Sequence, residues 1–293
     1  MFKKLSFQVK SMVEYWVLIF ANVDKTTINL RNPDLRGILE VRKKVAQLTA
    51  ESNVHMGGAF MTGRGLEAGE YHLALYKGIL YRVEAEYGGI VIERKEDGYI
   101  RWEYTVPFSI RLEALKLQQK IVERWDKPIE SKQTMVTVRE EPKKIEQSYE
   151  ELLELLRSLD IGFIDLVSGE VYGNNPRWKT THSRTGLDVI PMISGKDVSL
   201  KRELHYALSS YGLKGKDVTV ILIGDSVGDI PFLNPPLVKK ILEPYVRGLS
   251  IKSYGVNPTG LFKEYIEEIG GTCLYGTPES CFSRCLVCEL ESL

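Results

Sequence analysis

VLIFANVDKTT, residues 17 to 27, decides the fold. Its first four residues are apolar without a break, which is typical of a strand buried on both faces of a parallel sheet. The residues that follow are mostly polar and include Asn22, Asp24 and Thr26. Because ligands of open α/β sheets bind beyond the carboxyl ends of the strands, this stretch predicts a functional site directly after a buried strand.

A second stretch far along the chain has the same form. Residues 218 to 223, VTVILI, are a buried-strand run, and GDSVGD follows, with Asp225 and Asp229 as its carboxylates. Mg²⁺ prefers a few carboxylate oxygens together with substrate phosphate. Two strands that both end in carboxylates therefore suggest one shared site for a hard cation.

These two stretches resemble the first and fourth motifs of the haloacid dehalogenase (HAD) superfamily. In that family an apolar strand precedes Asp-x-Asp-x-Thr, and a later strand precedes Gly-Asp-x-x-x-Asp. Here the first motif reads Asn-Val-Asp-Lys-Thr, so Asn22 stands at the position of the nucleophilic Asp, and Gly228 replaces the usual Asn of the fourth motif. The resemblance implies an α/β fold, with a Rossmann-like parallel-sheet core and an inserted α+β cap.

Two further motifs lie in the expected order. Thr62 ends a predicted strand over residues 55 to 61, and resembles the Thr or Ser with which the family holds the phosphoryl group. Lys201 leads a predicted helix over residues 202 to 211 and resembles the Lys of the third motif, with Lys196 as the alternative. A cation is needed there because it offsets repulsion between phosphate and clustered carboxylates.

The resemblance implies a Mg²⁺-dependent phosphatase with specific roles for these residues. Asn22, Asp24, Thr62 and Lys201 would form the catalytic set, and the metal set would be Asn22, Asp24, Asp225 and Asp229. A neutral amide is a poor nucleophile, however, and nucleophilic catalysis by a carboxylate needs the Asp. Three explanations stay open: a natural non-catalytic relative, an engineered trap, or slow direct attack by water with Asp24 as base.

The chain is expected to divide into a discontinuous core, residues 1–93 and 190–293, and a cap, residues 94–189. The cap sequence predicts two amphipathic helices and short strands, with few long apolar runs, which favours a half-exposed antiparallel sheet. Five of its residues are candidates for contacts with the substrate: Trp102, Tyr104, Trp178, His182 and Arg184. The sequence Glu84-Ala85-Glu86-Tyr87-Gly88-Gly89 resembles a Glu-Asn-Gly-Gly element of capped members, or is a glycine turn between two edge strands.

Composition limits the partners. The 293 residues carry 39 basic and 39 acidic side chains, so nothing indicates a nucleic acid or an acidic membrane. No stretch is long enough for a transmembrane helix, and we expect a cytoplasmic protein of unknown oligomeric state. All four cysteines lie near the end of the sequence, at positions 273, 281, 285 and 288. They could bind zinc or an iron–sulfur cluster, stay free thiols, or form disulfides.

The first hypothesis is therefore a capped HAD-type phosphatase that uses Mg²⁺ and acts on a small phosphorylated metabolite. The Asp-Lys-Thr sequence and the glycine pair resemble the branch acting on phosphorylated sugars or sugar–glycerate conjugates, such as mannosyl-3-phosphoglycerate phosphatase. The alternative is a catalytically impaired relative that binds a phosphometabolite without turning it over. A purely structural role is disfavoured because it gives Asp24, Thr62, Asp225 and Asp229 no reason to lie at strand ends.

Overall fold

The computed structural model describes residues 14–29, 32–51, 53–95, 97–183 and 185–292. The candidate Arg184 lies outside these residues. Within them the chain forms two sheets, one of eight strands and one of six. This mixed α/β architecture confirms the predicted fold class.

The large sheet has a parallel centre and an antiparallel edge. Its strands, in chain order, are β1 (Tyr15–Asn22), β2 (Val54–Met61), β3 (Arg82–Ala85), β4 (Ile90–Arg94), β5 (Ile100–Tyr104), β12 (Asp217–Gly224), β13 (Gly248–Val256) and β14 (Thr272–Leu274). They lie side by side in the order β14-β13-β12-β1-β2-β3-β4-β5. The first six of this order are parallel, and β4 and β5 run antiparallel.

Within the described residues, eight α-helices pack against the two sheets. They are α1 (Leu35–Glu51), α2 (Leu66–Leu75), α3 (Phe108–Arg124), α4 (Ile145–Ser158), α5 (Lys196–Ser210), α6 (Pro235–Leu242), α7 (Gly260–Glu268) and α8 (Pro278–Glu291).

Strand β1 lies near the middle of the large sheet and is covered on both faces. Val17 and Ile19 face the core shared with α1, α2 and α8, whereas Leu18 and Phe20 face the core shared with α5, α6 and α7. All four side chains are fully buried. A strand covered on both faces needs apolar residues at every position, which is why its sequence shows no alternation.

The small sheet covers the site end of the large one. Its strands are β6 (Ile129–Glu130), β7 (Val136–Arg139), β8 (Phe163–Asp165), β9 (Val171–Tyr172), β10 (Trp178–His182) and β11 (Gly186–Pro191). They lie in the order β6-β7-β11-β10-β8-β9, and all pairs except β8–β10 are antiparallel. One face packs its apolar residues against α3 and α4. The opposite face is polar.

The structure differs from two expectations about elements. The strand β5, which was placed in the cap, pairs with β4, so the large sheet extends past residue 93 to Tyr104. Helix α5 begins at Lys196 and not after Lys201.

Among the described residues no helix is both long and apolar enough to cross a membrane. The four cysteines are free thiols there, and Cys281 and Cys285 lie on the buried face of α8.

Candidate functional site

The register of the parallel strands brings the sequence motifs to one edge of the large sheet. Asn22 is the last residue of β1 and lies beside Met61 of β2, so Thr62 comes next to it. On the other side Ala21 pairs with Ile223 of β12, and Asp225 follows that strand directly. The segments of the first, second and fourth motifs therefore meet at one rim.

Asn22 lies at the centre of this cluster. Its amide nitrogen Nδ2 donates to Oδ1 of Asp225 at 2.7 Å and also lies 3.3 Å from the main-chain oxygen of Asp24. A third acceptor, Oδ2 of Asp229, is 3.5 Å away. Thr26 adds a second donor to Asp225 through Oγ1 at 2.8 Å. The amide thus occupies the point on which the oxygens of three aspartates converge.

Asp24 pairs with Arg64, a cation for which the sequence motifs predicted no role. Nε of Arg64 donates to Oδ2 of Asp24 at 2.7 Å, and a second guanidinium nitrogen lies 3.4 Å from Oδ1. Both side chains remain about one-third exposed, at 35% for Arg64 and 30% for Asp24. Burial alone would lower the pKa of Arg64, but the hydrogen bond and charge of Asp24 raise it above its ordinary value. Arg64 therefore stays charged beside the site.

Lys196, and not Lys201, is the lysine of the cluster. The Lys196 ammonium forms an ion pair with Asp229, and 7% of the lysine side chain and none of the aspartate is exposed. Lys201 is exposed on α5. The physical reason is the earlier helix start: Gly195, with a φ of 144°, turns the chain so that Lys196 opens the helix at the rim. The assignment to Lys201 is therefore corrected in favour of Lys196.

Both oxygens of Asp229 already have donors within the protein. Oδ1 accepts from Lys196, and Oδ2 accepts from the backbone amides of Asp225 at 2.7 Å and Ser226 at 3.2 Å. The carboxylate is fully buried. Its position suits a residue that holds Lys196 and the backbone after β12, rather than one that binds a metal directly.

Thr62 lies at the end of β2 and is 1% exposed. Its hydroxyl oxygen accepts from the backbone amide of Arg64 at 3.0 Å, which shapes the turn through Gly63 and Arg64 that faces the cavity. Thr62 is thus adjacent to the cluster but covered by its own turn.

Two buried ion pairs fix α5 to β3. The Arg82 guanidinium donates to both oxygens of Glu203, with a shortest distance of 2.9 Å. Arg202 pairs with Glu84 and also donates to the main-chain oxygen of Gly88 at 2.9 Å. Because α5 begins with Lys196, these pairs hold the helix that presents the lysine.

The polar face of the small sheet forms the roof of the site. Side chains two residues apart in a strand share a face, and alternate positions on β7, β10 and β11 line a cavity of about 750 Å³. The cap residues in this wall include Thr137, Arg139, Lys179, Thr181 and Asp188. The floor of the cavity is formed by the rim, with Asn22, Asp24, Arg64, Lys196 and Asp225.

Tyr87 joins floor and roof, although the sequence analysis gave it no polar role. Its hydroxyl donates to Oδ2 of Asp188 at 3.1 Å, and its main-chain oxygen accepts from Gly195 at 2.7 Å. It lies in a turn between β3 and β4, as the glycine-turn interpretation predicts, with a φ of 53°. In the sequence, the one feature that could have pointed to this role is that Tyr87 stands where the resembled Glu-Asn-Gly-Gly element has Asn.

The proposed cap contacts separate into two groups. His182 lines the cavity, as expected for a substrate contact. Trp178 is 5% exposed and packs in the core under α3 and α4. Trp102 and Tyr104 belong to β5 at the edge of the large sheet and are not part of the cavity wall.

The Asp225 carboxyl group is a weaker acid than an ordinary aspartate. Burial and the neighbouring charge of Asp229 raise the pKa of Asp225 to about 7, and the hydrogen bonds from Thr26 and Asn22 oppose this only in part. A cation near Asp225 would favour its ionised form.

Mg²⁺ fits this set of groups when the Asn22 amide presents its oxygen. Octahedral Mg²⁺ with ligands at about 2.1 Å places neighbouring ligand atoms about 3 Å apart. The Asn22 amide nitrogen lies 2.7 Å from Asp225 and 3.3 Å from the main-chain oxygen of Asp24, which is that spacing. A half-turn of the amide exchanges its nitrogen and oxygen. The described residues hold no group of three or more His, Cys, Asp or Glu placed for a metal, and this set has only one carboxylate.

Comparison with known proteins finds similarity only in structure. No protein-family model and no curated protein matches the sequence. A protein from Thermoplasma acidophilum is 14% identical with a TM-score of 0.55, covering 96% of this chain and 100% of that one. A sucrose-phosphatase from Synechocystis, solved with sucrose and phosphate, is 12% identical with a TM-score of 0.54, over 96% and 98% of the chains.

A trehalose-6-phosphate phosphatase from Aspergillus fumigatus is similar to the same extent, at 15% identity and a TM-score of 0.51, covering 96% of this chain and 93% of that one. These identities are low, so the likeness concerns the path of the backbone over nearly the whole of each chain. The chain therefore shares the fold of these phosphatases.

Proposed function

We propose that the chain is a phosphomonoester hydrolase of the HAD type that acts on a small phosphorylated metabolite, a sugar phosphate, with Mg²⁺ as its cofactor. The observation that carries the proposal is the meeting of Asp24, Asp225 and Lys196 at one rim, in the floor of a cavity of about 750 Å³. The names of two structural neighbours, a sucrose-phosphatase and a trehalose-6-phosphate phosphatase, support the sugar-phosphate class. A cytoplasmic location belongs to this proposal.

The chain's own residues then have distinct tasks. Lys196 and the turn at Gly63 and Arg64 bind the phosphoryl group. Asp24 takes a proton from a water molecule that attacks phosphorus, the ester P–O bond breaks, and the departing oxygen receives that proton. Asn22, the main-chain oxygen of Asp24 and Asp225 would hold Mg²⁺, which supplies neutralisation of phosphate charge and orientation of the ester.

A second candidate function is retention of the phosphometabolite without turnover. The observation that favours it is Asn22, whose amide donates to Asp225 and cannot form the acyl phosphate that a carboxylate nucleophile forms. Asn22 also removes one negative charge from the cluster, which favours a bound phosphate dianion.

The substitution Asn22→Asp separates the two functions. Hydrolysis of p-nitrophenyl phosphate is measured with Mg²⁺ for the unchanged protein, for Asn22→Asp, and for Asn22→Asp combined with Asp225→Ala as the control. We expect Asn22→Asp to increase the rate, since it restores the carboxylate nucleophile, and the control to lose the gain.

Activity in the unchanged chain supports the hydrolase, and activity only after Asn22→Asp supports retention. If no variant is active and neither phosphate nor Mg²⁺ raises the melting temperature, both candidates are wrong, because a ligand selective for the native state stabilises it.

A further inference from the structure

The charges of the cavity wall are mostly paired. Arg64 is held by Asp24 and Lys196 by Asp229. Arg139 forms an ion pair with Glu130. Each of these cations thus has a carboxylate in direct contact.

Lys179 is the exception among the buried cations of the wall that the structure describes. It lies on β10 in the roof, and its side chain is 12% exposed. The nearest carboxylate, of Asp197, is 4.0 Å away and is itself 51% exposed. None of the hydrogen bonds found among the described residues involves the Lys179 ammonium.

The Lys179 ammonium lies close to the backbone of the floor at Gly195. A Cβ atom built on Gly195 would lie only 2.9 Å from Nζ of Lys179. Gly195 directly precedes Lys196, so the two lysines approach the start of α5 from opposite layers. Lys196 faces the aspartate cluster, and Lys179 faces the cavity above Gly195.

A nearly buried ammonium whose counter-charge, Asp197, lies 4.0 Å away and is half exposed is costly, because burial penalises the charged form. Consistent with this, burial lowers the pKa of Lys179, and the charge of Asp197 opposes the shift only in part. An anionic group of a ligand would satisfy the ammonium. One positive charge with Asp197 nearby suits a monoanion, such as a carboxylate, better than a second phosphate dianion.

We propose that Lys179 forms a subsite for a carboxylate, so that the substrate is a phosphate ester that also carries a carboxylic acid. This inference rests on the proposed function, since the phosphate group is placed at the rim. Lys179 would select the substrate from the roof, while the rim residues act on the ester.

Two matched ligand pairs test the subsite at two distances between the phosphate and the carboxylate. The pairs are 3-phosphoglycerate with glycerol 3-phosphate, and 6-phosphogluconate with sorbitol 6-phosphate. Within each pair the members differ only by a carboxylate in place of a hydroxymethyl group. Affinities are measured by calorimetry with Mg²⁺ present, or as kcat/KM where the ester is hydrolysed.

We expect the unchanged protein to prefer the acid of at least one pair by about tenfold or more, the scale of a charge-assisted hydrogen bond. Lys179→Met should bring that preference close to one and leave the affinity for the alcohol nearly unchanged. Lys120→Met, on the exposed face of α3 in the same layer, is the control and should keep the preference. Lys179→Gln provides a second variant if Lys179→Met does not fold.

Three results would overturn the subsite. Equal binding of acid and alcohol by the unchanged protein would contradict it and leave phosphate-ester binding intact. Equal weakening of both members by Lys179→Met would assign the lysine to the phosphoryl group instead. Failure of all four ligands to bind would overturn the proposed function together with the subsite.

Discussion

At the scale of single residues, two of the three aspartates in the cluster are balanced by a cation in direct contact. Asp24 is balanced by Arg64 and Asp229 by Lys196, whereas Asp225 has only the neutral donors Asn22 and Thr26. The remaining negative charge of Asp225 is therefore the part of the cluster that attracts a cation.

Replacing Lys196 by Met should destabilise the protein by about 3–5 kcal/mol, because it leaves the fully buried Asp229 without its counter-charge. Lys201→Met removes an exposed lysine of the same helix and should change stability by no more than about 0.5 kcal/mol. Urea unfolding of the two variants measures the difference. Equal effects would show that the ion pair with Asp229 does not form.

The sequence identified the right kind of residue but the wrong position for this lysine. Both Lys196 and Lys201 precede apolar residues at helical spacing, and a periodic pattern does not define where a helix begins. The start at Lys196 depends on the left-handed Gly195 and on its bond to Tyr87, a residue from a distant part of the chain. Arg64 was missed for a related reason, since its pairing with Asp24 is a tertiary contact.

At the scale of elements, the small sheet is held to its helices by polar contacts as well as by its core. Glu140, directly after β7, accepts from Lys127 before β6 and from Ser148 in α4, so one carboxylate connects three segments. These hydrogen bonds, from Lys127 first and then from Ser148, lower the pKa of Glu140 to about 2.

The stability that Glu140 contributes should therefore depend on pH. Because the pKa of Glu140 is lower in the folded protein than in the unfolded chain, its contribution to the free energy of unfolding is complete above the unfolded pKa of 4.5. That contribution is lost as the pH falls toward the folded pKa of about 2. Glu140→Gln should consequently be less stable than the unchanged protein at pH 7, and the two should converge between pH 4.5 and pH 2. Urea unfolding at pH 7, 4.5 and 3 checks this. A difference that is independent of pH would contradict it.

The elements that the sequence predicted are those with a strong apolar pattern. β1 and β12 are buried on both faces, and α4 has a clear apolar stripe, so their patterns suffice. β10 was missed because its alternate positions, with Lys179 and Thr181, face a polar cavity and resemble a loop. β5 was placed in the cap because an amphipathic edge strand does not itself specify the sheet that it joins.

At the scale of the whole molecule, two backbone anchors join the roof to the floor. Glu86 accepts from the amide of Thr134 at 2.8 Å and from its hydroxyl at 2.7 Å. Lys132, which is 2% exposed, donates to the main-chain oxygen of Gly63 at 2.8 Å. The second anchor reaches the turn that faces the cavity, so the two layers are connected beside the site.

Removing the first anchor should loosen the connection between the layers. In Glu86→Ala we expect faster hydrogen exchange at the amides of Gln133 and Thr134, which lose their carboxylate acceptor, while the amides of β1 stay protected. Hydrogen-exchange mass spectrometry of peptides covering residues 130–135 and 15–22 measures both. Unchanged exchange over residues 130–135 would mean that the carboxylate does not hold this segment.

The pairing of β1 with β12 has a consequence for synthesis of the protein. Asn22 and Asp225 are 203 positions apart and become neighbours only through this pairing. The ribosome completes the roof and half of the floor before it translates the strand that completes the rim. A nascent chain that stops short of β12 is therefore unable to capture its ligand, and the contacts that assemble the pocket are among the slow, long-range ones of folding.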